Sequence, residues 1–330
     1  MTTTAPVSTT TNEPTRDSAP ESGGGPKVDM SPQVRRVRAL QRFALSITVF
    51  TVLGHTVLGF EQAPIAPIMA ILVSYATAVL FEALDAWALG RDPEFRGGLS
   101  ALAIFLLPAH ISGLACAMLL WGNSSVWPYV FAVTVANASK YVVRVRARGR
   151  LRHVLNPSNA GIAITLILFP WVGIAPPYHF TNNISGALDW LVPLGILVLG
   201  TMLNAGLTGK MPLVLGWVGG FVAQAVLRWA LLDHALLGAL LPVTGVAFLL
   251  FTNYMITDPG TTPFKTRNQV VFGLVTAAVY GVLVVSEVVF GLFFALVITC
   301  LLRGLVLVAE PMKPMLRRAF SGVRTGGASK

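Results

Sequence analysis

Cysteine, charge and nucleotide-binding signatures are what this chain has least of. Its two cysteines, Cys116 and Cys300, lie inside apolar stretches with no CxxC and no Cys/His cluster beside them. That pattern offers no disulfide framework, no iron–sulfur ligation and no structural zinc site. Charged residues make up 12% of the chain, about half of the ~25% of an average globular domain. There is no Walker loop and no GxGxxG after a strand, so ATP or NAD binding by this chain alone is not expected. A charged-then-apolar leader with a small-residue cleavage site is also missing from the first residues.

What remains is apolar. Hydrophobic residues are 54% of the 330, and the mean hydropathy is +0.70. The net charge of +10 sits mostly in short segments between apolar runs. Orientation in a membrane explains that placement better than nucleic acid does, and no nucleic-acid partner is expected.

Ten apolar runs are legible, at about 41–60, 65–89, 99–121, 126–143, 158–175, 189–207, 211–231, 235–254, 268–285 and 288–308. Each is near the ~20 residues that span ~30 Å of hydrocarbon. The fold class is an all-α polytopic membrane protein with about ten transmembrane helices and both termini cytoplasmic. Its partner is the lipid bilayer, and the plasma membrane is the expected location. With the N-terminus inside, Arg91, Arg96, the Arg144–Arg152 ladder, Lys210, Lys265, Arg267, Lys313, Arg317 and Arg318 all fall inside. Glu61, Asp233, His234 and Glu287 fall outside, and Arg228 is the one basic residue at an outer end. Residues 1–34, rich in Thr, Pro, Ser, Gly and Glu, read as a disordered cytoplasmic tail. Residues 35–312 form the transmembrane domain, and 313–330 form a basic cytoplasmic tail.

Polar residues inside the runs are costly and therefore informative. His55, Glu82, Asp85, His110, Asn137, Lys140, Asn204, Gln224 and Arg228 are of this kind. Glu82 and Asp85 read as solvated at the inner end of the second run, and Lys140 as snorkelling to the surface. His110 follows Pro108 and reads as an inter-helix hydrogen bonder rather than a haem or proton-relay ligand.

Two turns stand apart. Arg144, Arg146, Arg148, Arg150 and Arg152 alternate into His153 and then Asn156-Pro157-Ser158-Asn159-Ala160-Gly161. One arginine at mid-bilayer costs at least about 2.5–3.5 kcal/mol, so this ladder must lie at a membrane surface. The second turn is Thr257-Asp258-Pro259-Gly260-Thr261-Thr262-Pro263. Asn156 and Asn159 offer amide donors and acceptors, and Thr257, Asp258, Thr261 and Thr262 add hydroxyls and a carboxylate. The same residues equally suit turn formation and helix capping.

The stretch from Ser139-Lys140-Tyr141 through Arg144 and His153 to the Asn156–Gly161 turn resembles the RnfD/NqrB family. Its members are flavin-carrying membrane components of the Rnf and Nqr ion-pumping electron-transport complexes. The Thr257–Pro263 turn, followed by Gln269 and Gly273, resembles that family's second conserved turn. The resemblance covers about residues 40–310. It implies a non-covalent flavin (riboflavin or FMN) near the cytoplasmic face, held by Asn156, Asn159, Thr257, Asp258, Thr261 and Thr262. It also implies a redox or biosynthetic protein partner.

The family esterifies a second FMN to an outer threonine. Here that loop reads Ser185-Gly186-Ala187-Leu188. Leu188 has no hydroxyl, so no covalent FMN is expected. The stand-alone chain with its Thr/Pro-rich tail also resembles a subgroup, the UnbU-type membrane proteins of enediyne antibiotic biosynthesis. The functional expectation is therefore a membrane redox protein, one component of an electron-transport system, without autonomous catalysis. The alternatives are a small-molecule transporter, permease or export/self-resistance protein built on inverted five-span halves, and a membrane scaffold for biosynthetic enzymes.

Overall fold

Helices occupy each of the ten apolar runs in the computed structural model, which describes residues 31–147 and 149–309. The first is α1 (Pro32–Leu53), continued by one π-helical turn at Gly54–Leu58. Then come α2 (Ile65–Leu89), α3 (Leu99–Leu119), α4 (Trp127–Val142) and α5 (Pro157–Leu168). The second half opens with α6 (Leu191–Leu203), again continued by a π-helical turn, Asn204–Thr208, and α7 (Met211–Leu232) follows. The eighth run divides into α8 (Leu236–Leu240) and α9 (Val246–Leu250), the latter running into π-helical Phe251–Met255. The bundle ends with α10 (Thr266–Val285) and α11 (Gly291–Ala309).

Seven of these helices are long and apolar enough to cross a membrane. The pair around Gly245, bent by 67°, makes an eighth if it is one span. The other two runs form shorter helices than a full span. α4 has 16 residues and α5 has 12; at 1.5 Å per residue the latter is about 18 Å long. Pro170 accounts for the short fifth helix: the residue before a proline is driven to extended backbone, and Phe169 is the non-helical cap.

Helix α1 begins at Pro32, with the Ser31 hydroxyl accepting from Val34 N at 3.4 Å. Residues 32–34 belong to this helix. The rest of the expected N-terminal tail, residues 1–30, and the C-terminal tail, 313–330, lie outside the described residues.

The interior is built by close approach. Ala66, Ala70, Ser74, Ala78, Glu82 and Ala86 recur every fourth residue on α2, and all are buried. Small residues on one stripe let α3 and α4 pack directly against it. Gly161 does the same for α5: a Cβ there would lie 2.2 Å from the Ala132 carbonyl oxygen. Large apolar side chains such as Leu45, Val49, Leu72, Leu215, Leu301 and Leu305 face outward, as lipid-facing surfaces require. The helical apolar segments are those of a multi-pass integral membrane protein in a lipid bilayer.

Two small sheets qualify the all-α expectation. Strand β1 (Leu120–Trp121) pairs antiparallel with β4 (Gly173–Ile174). The basic ladder is itself a hairpin: β2 (Arg144–Ala147) pairs antiparallel with β3 (Arg150–His153), Arg144 opposite His153. Gly149, at φ 77°, supplies the left-handed residue that the tight turn needs.

The Glu82 stripe also alters one reading. Glu82 is 2% exposed and Asp85 lies one turn on. Arg91 bonds Glu82 at 2.6 Å and Asp85 at 2.7 Å, Arg144 bonds Asp85 at 2.5 Å, and Tyr141 donates to Glu82 at 3.2 Å. These carboxylates are not solvated interface groups: Asp85 ties the hairpin to α2 through Arg144, and Glu82 ties α4 to α2 through Tyr141. His110 bonds Thr48 and Tyr75, each at 2.7 Å, with its two ring nitrogens. It is an inter-helix linker across α1, α2 and α3 with no nitrogen left for a metal.

Candidate functional site

Asn156 caps α5. Its Oδ1 accepts from Asn159 N at 3.1 Å and from Ser158 Oγ at 3.0 Å. Its Nδ2 donates to the Met255 carbonyl at 2.9 Å. Met255 ends the π-helical turn just before Thr257, so this bond joins the two turns across 99 residues of sequence.

The second turn is closed around Asp258. The Asp258 carboxylate accepts from Gly260 N at 3.1 Å and from Thr261 Oγ1 at 2.8 Å, and its carbonyl accepts from Thr262 Oγ1 at 2.6 Å. Thr257 Oγ1 donates to the Asn253 carbonyl at 2.7 Å. Gly260 is needed here for space: a Cβ would lie 2.7 Å from His153 Nε2 and 3.4 Å from Asp258 Oδ2. The imidazole at the end of the basic hairpin thus packs on the second turn.

All six expected site residues therefore belong to two turns that touch. Most of their hydrogen-bonding capacity is spent locally. Asn156, Thr257, Thr261 and Thr262 donate or accept within the turns and the adjacent helix ends. Asn159, 1% exposed, donates from Nδ2 to the Phe293 carbonyl of α11 at 2.9 Å, while its Oδ1 is buried with no partner among the described residues. A flavin ring edge needs free donors and acceptors. Of the six, the acceptor Asn159 Oδ1 is the clearest one left over, so these residues fit the ring edge only weakly.

Charge is where the site is richer than the sequence reading anticipated. Asp258 lies within electrostatic reach of Lys140 on α4, His153 on β3, Lys210 ahead of α7 and Arg303 on α11. Lys210 is 1% exposed; its Nζ donates to the Pro263 carbonyl at 2.7 Å and lies 5.1 Å from the Phe264 ring centroid. Arg303 donates to the Thr261 carbonyl, and Lys140 donates to Asn137 Oδ1 at 3.2 Å. Burial pushes Lys210 down to about 8, with Asp258 opposing and Arg303 assisting. Burial likewise holds His153 below its ordinary value, against the pull of Asp258.

Sequence reading assigned Lys140 to snorkelling and Lys210 to the inner-loop charge bias, and it passed over Arg303. Arg303 carried a usable signal, being a lone guanidinium in an apolar run, which is costly to bury.

The far end of the bundle holds a different group. His179 stacks on Phe60 at 4.1 Å between centroids, and His55 lies 5.4 Å from the same ring. His179 Nδ1, His55 Nε2 and Gln62 Oε1 are buried without partners among the described residues. Leu188 is exposed in the 3-10 turn Gly186–Trp190. No protein-family model matches the chain, and no curated protein matches it either.

Proposed function

We propose that this protein is a membrane redox component of the RnfD/NqrB kind, crossing the plasma membrane ten times with both ends in the cytoplasm. The observation that carries this reading is the Asn156 Nδ2 bond to the Met255 carbonyl. It brings together the two turns on which the family resemblance rests. On this reading α4 and α5 are also spans, with α5 a half-length helix completed by the extended chain after Pro170. The two turns and the basic hairpin then face the cytoplasm, where a redox or biosynthetic protein partner docks. The role belongs to natural-product assembly of the enediyne type.

A non-covalent flavin, riboflavin or FMN, supplies electron transfer at this end when bound. Asn159 offers a free buried acceptor to it, and the cations around Asp258 offer positive charge. Leu188 gives no hydroxyl for an ester, so the flavin is held by contacts alone. Purification with added flavin tests this directly. The expected product is yellow and loses all its flavin on acid precipitation; colourless protein overturns the reading.

A transporter is the second reading, favoured by a separate observation. The described residues include three π-helical turns, one half-length helix and one helix pair bent by 67°. Discontinuous helices of this kind build substrate sites in secondary transporters. Asn204 Nδ2 donates to the Asn253 carbonyl at 2.8 Å, joining two of the π-helical turns in the interior. Accumulation of a metabolite in vesicles lacking any redox partner would support it.

A further inference from the structure

Three of the cations around Asp258 have no carboxylate paired to them. Lys140, Lys210 and Arg303 form no ion pair among the described residues. Each has one hydrogen bond to a neutral oxygen: Asn137 Oδ1, the Pro263 carbonyl and the Thr261 carbonyl. An ammonium carries three donors and a guanidinium five, so most donors of this set have no acceptor among the described residues. Asp258 answers for one charge at most, and each of its carboxylate oxygens already accepts a bond from its own turn, one from Gly260 N and one from Thr261 Oγ1. Against that one carboxylate the three cations leave an excess of two positive charges, and Arg152, which faces His153 and Arg303 from the hairpin, raises it to three.

That excess is expensive where it sits. A buried ion left uncompensated costs several kcal/mol, and an apolar side chain of similar length packs the same space more cheaply. Lys210 is 1% exposed in a chain otherwise economical with charge. The cations come from three separate elements, α4, the start of α7 and α11: Lys210 and Arg303 bond carbonyls of the second turn, and Lys140 lies within electrostatic reach of Asp258 in that turn. Scattered surface charge drawn by the inner-loop bias would not bury an ammonium or collect Arg303 from inside an apolar run.

We propose that Lys140, Lys210 and Arg303 form a binding site for a doubly charged phosphate group where the two turns meet, so that the ligand of this end is a phosphorylated one. On the flavin reading above, on which this identity of the ligand rests, that ligand is FMN rather than riboflavin. An excess of at least two positive charges suits a phosphate monoester dianion. Arg303 provides a planar fork for two of its oxygens, and the lysines act as point charges. Asn159 Oδ1 remains for an uncharged N–H of the same ligand.

The test uses the full chain in detergent, with intrinsic tryptophan fluorescence reporting thermal unfolding and FMN, riboflavin and inorganic phosphate as probes. The expected result is that FMN raises the unfolding midpoint at concentrations at least tenfold below riboflavin, and that phosphate competes with FMN. Lys210→Met and Arg303→Gln should each erase the preference for FMN, bringing the ratio of the FMN and riboflavin affinities down at least tenfold. Arg96→Met, an exposed charge change of the same sign, should leave the preference intact. Equal affinity for FMN and riboflavin, with no competition by phosphate, overturns the phosphate site and leaves the flavin reading standing. Stabilisation by phosphate with no response to either flavin keeps the site and ends the flavin reading. No response to any of the three overturns both. Comparing the probes on the unmodified chain decides the question even if a variant fails to fold.

Discussion

At the scale of single residues, Asn156 shows how a side chain suspected of ligand contact can be occupied by structure. Its Oδ1 caps α5 and its Nδ2 reaches Met255. Losing a cap costs about 0.5–2 kcal/mol, and stranding a buried partner adds about 1–3 kcal/mol. Asn156→Ala should therefore lower stability by about 2–4 kcal/mol, read as a fall in the thermal midpoint in detergent. Asn156→Ser, which keeps a capping oxygen, should recover part of that loss. An alanine variant as stable as the parent would mean that the two turns are not held by this bond. Lys210 gives a pH prediction with a definite sign. Its folded-state value is down at about 8 against an ordinary 10.5. Below about 8 it is charged in both the folded and unfolded chains, and the cost of burying that charge is fully present. Between about 8 and 10.5 the unfolded chain holds a proton that the folded chain has released, so this group makes stability rise with pH across that window. The unliganded parent should therefore gain stability relative to Lys210→Met as pH climbs from 8 to 10, read as a narrowing gap in thermal midpoint. Phosphate binding should move the other way and weaken through about 8, where Lys210 loses its charge. The groups facing this region are Asp258, Lys140, His153, Arg152 and Arg303. Titrating phosphate from about pH 6.5 to 9.5 in parent and Lys210→Met separates its proton from theirs, since the variant should lose the step near 8.

Elements show what could be read in the sequence and what could not. Hydropathy placed helix in every one of the ten runs, but seven to eight of them are long and apolar enough to span, the fifth helix stops at Leu168 and the eighth run is broken at Gly245. The ladder was read as a membrane-surface segment, yet its alternation at every second residue is the period of a strand, and it folds as the β2–β3 hairpin. The signal was present in Arg144, Arg146, Arg150 and Arg152; the expectation of an all-α chain hid it. Two of the π-helical turns meet through Asn204 Nδ2 and the Asn253 carbonyl, a contact between distant residues that no local pattern announces. The convergence of Lys140, Lys210 and Arg303 was equally invisible, because it arises from packing between elements far apart in the chain. Helix α5 supplies the test at this scale. Gly161→Ala would put its Cβ 2.2 Å from the Ala132 carbonyl oxygen, whereas Gly206 has nothing within 4 Å. Overpacking of this kind costs about 1–3 kcal/mol. Gly161→Ala should therefore be clearly destabilised in thermal unfolding, and Gly206→Ala should be near neutral.

Across the whole molecule, the two halves begin in the same way. The π-helical turns Gly54–Leu58 and Asn204–Thr208 end at left-handed Gly59 and Gly209, and each glycine N–H returns to the first residue of its turn. Thr51, Leu53 and Gly59 thus have counterparts in Thr201, Leu203 and Gly209, although the halves show no clear repeat in sequence. If all ten runs cross the membrane, five spans lie between the starts of the two halves, and an odd number inverts the second half relative to the first. The Gly59 turn must then sit near the outer face and the Gly209 turn near the inner face. That outcome is measurable with single cysteines placed in a background lacking Cys116 and Cys300, both buried. Arg146→Cys or Thr208→Cys should react with an impermeant thiol reagent only after the cytoplasmic side is opened. Ser125→Cys or Glu287→Cys should react in intact cells. Eight crossings, with α4 and α5 dipping in and out of one face, would leave positions 125 and 146 on the same side; labelling of both in intact cells, or of neither, would end the ten-span topology and the inverted halves with it.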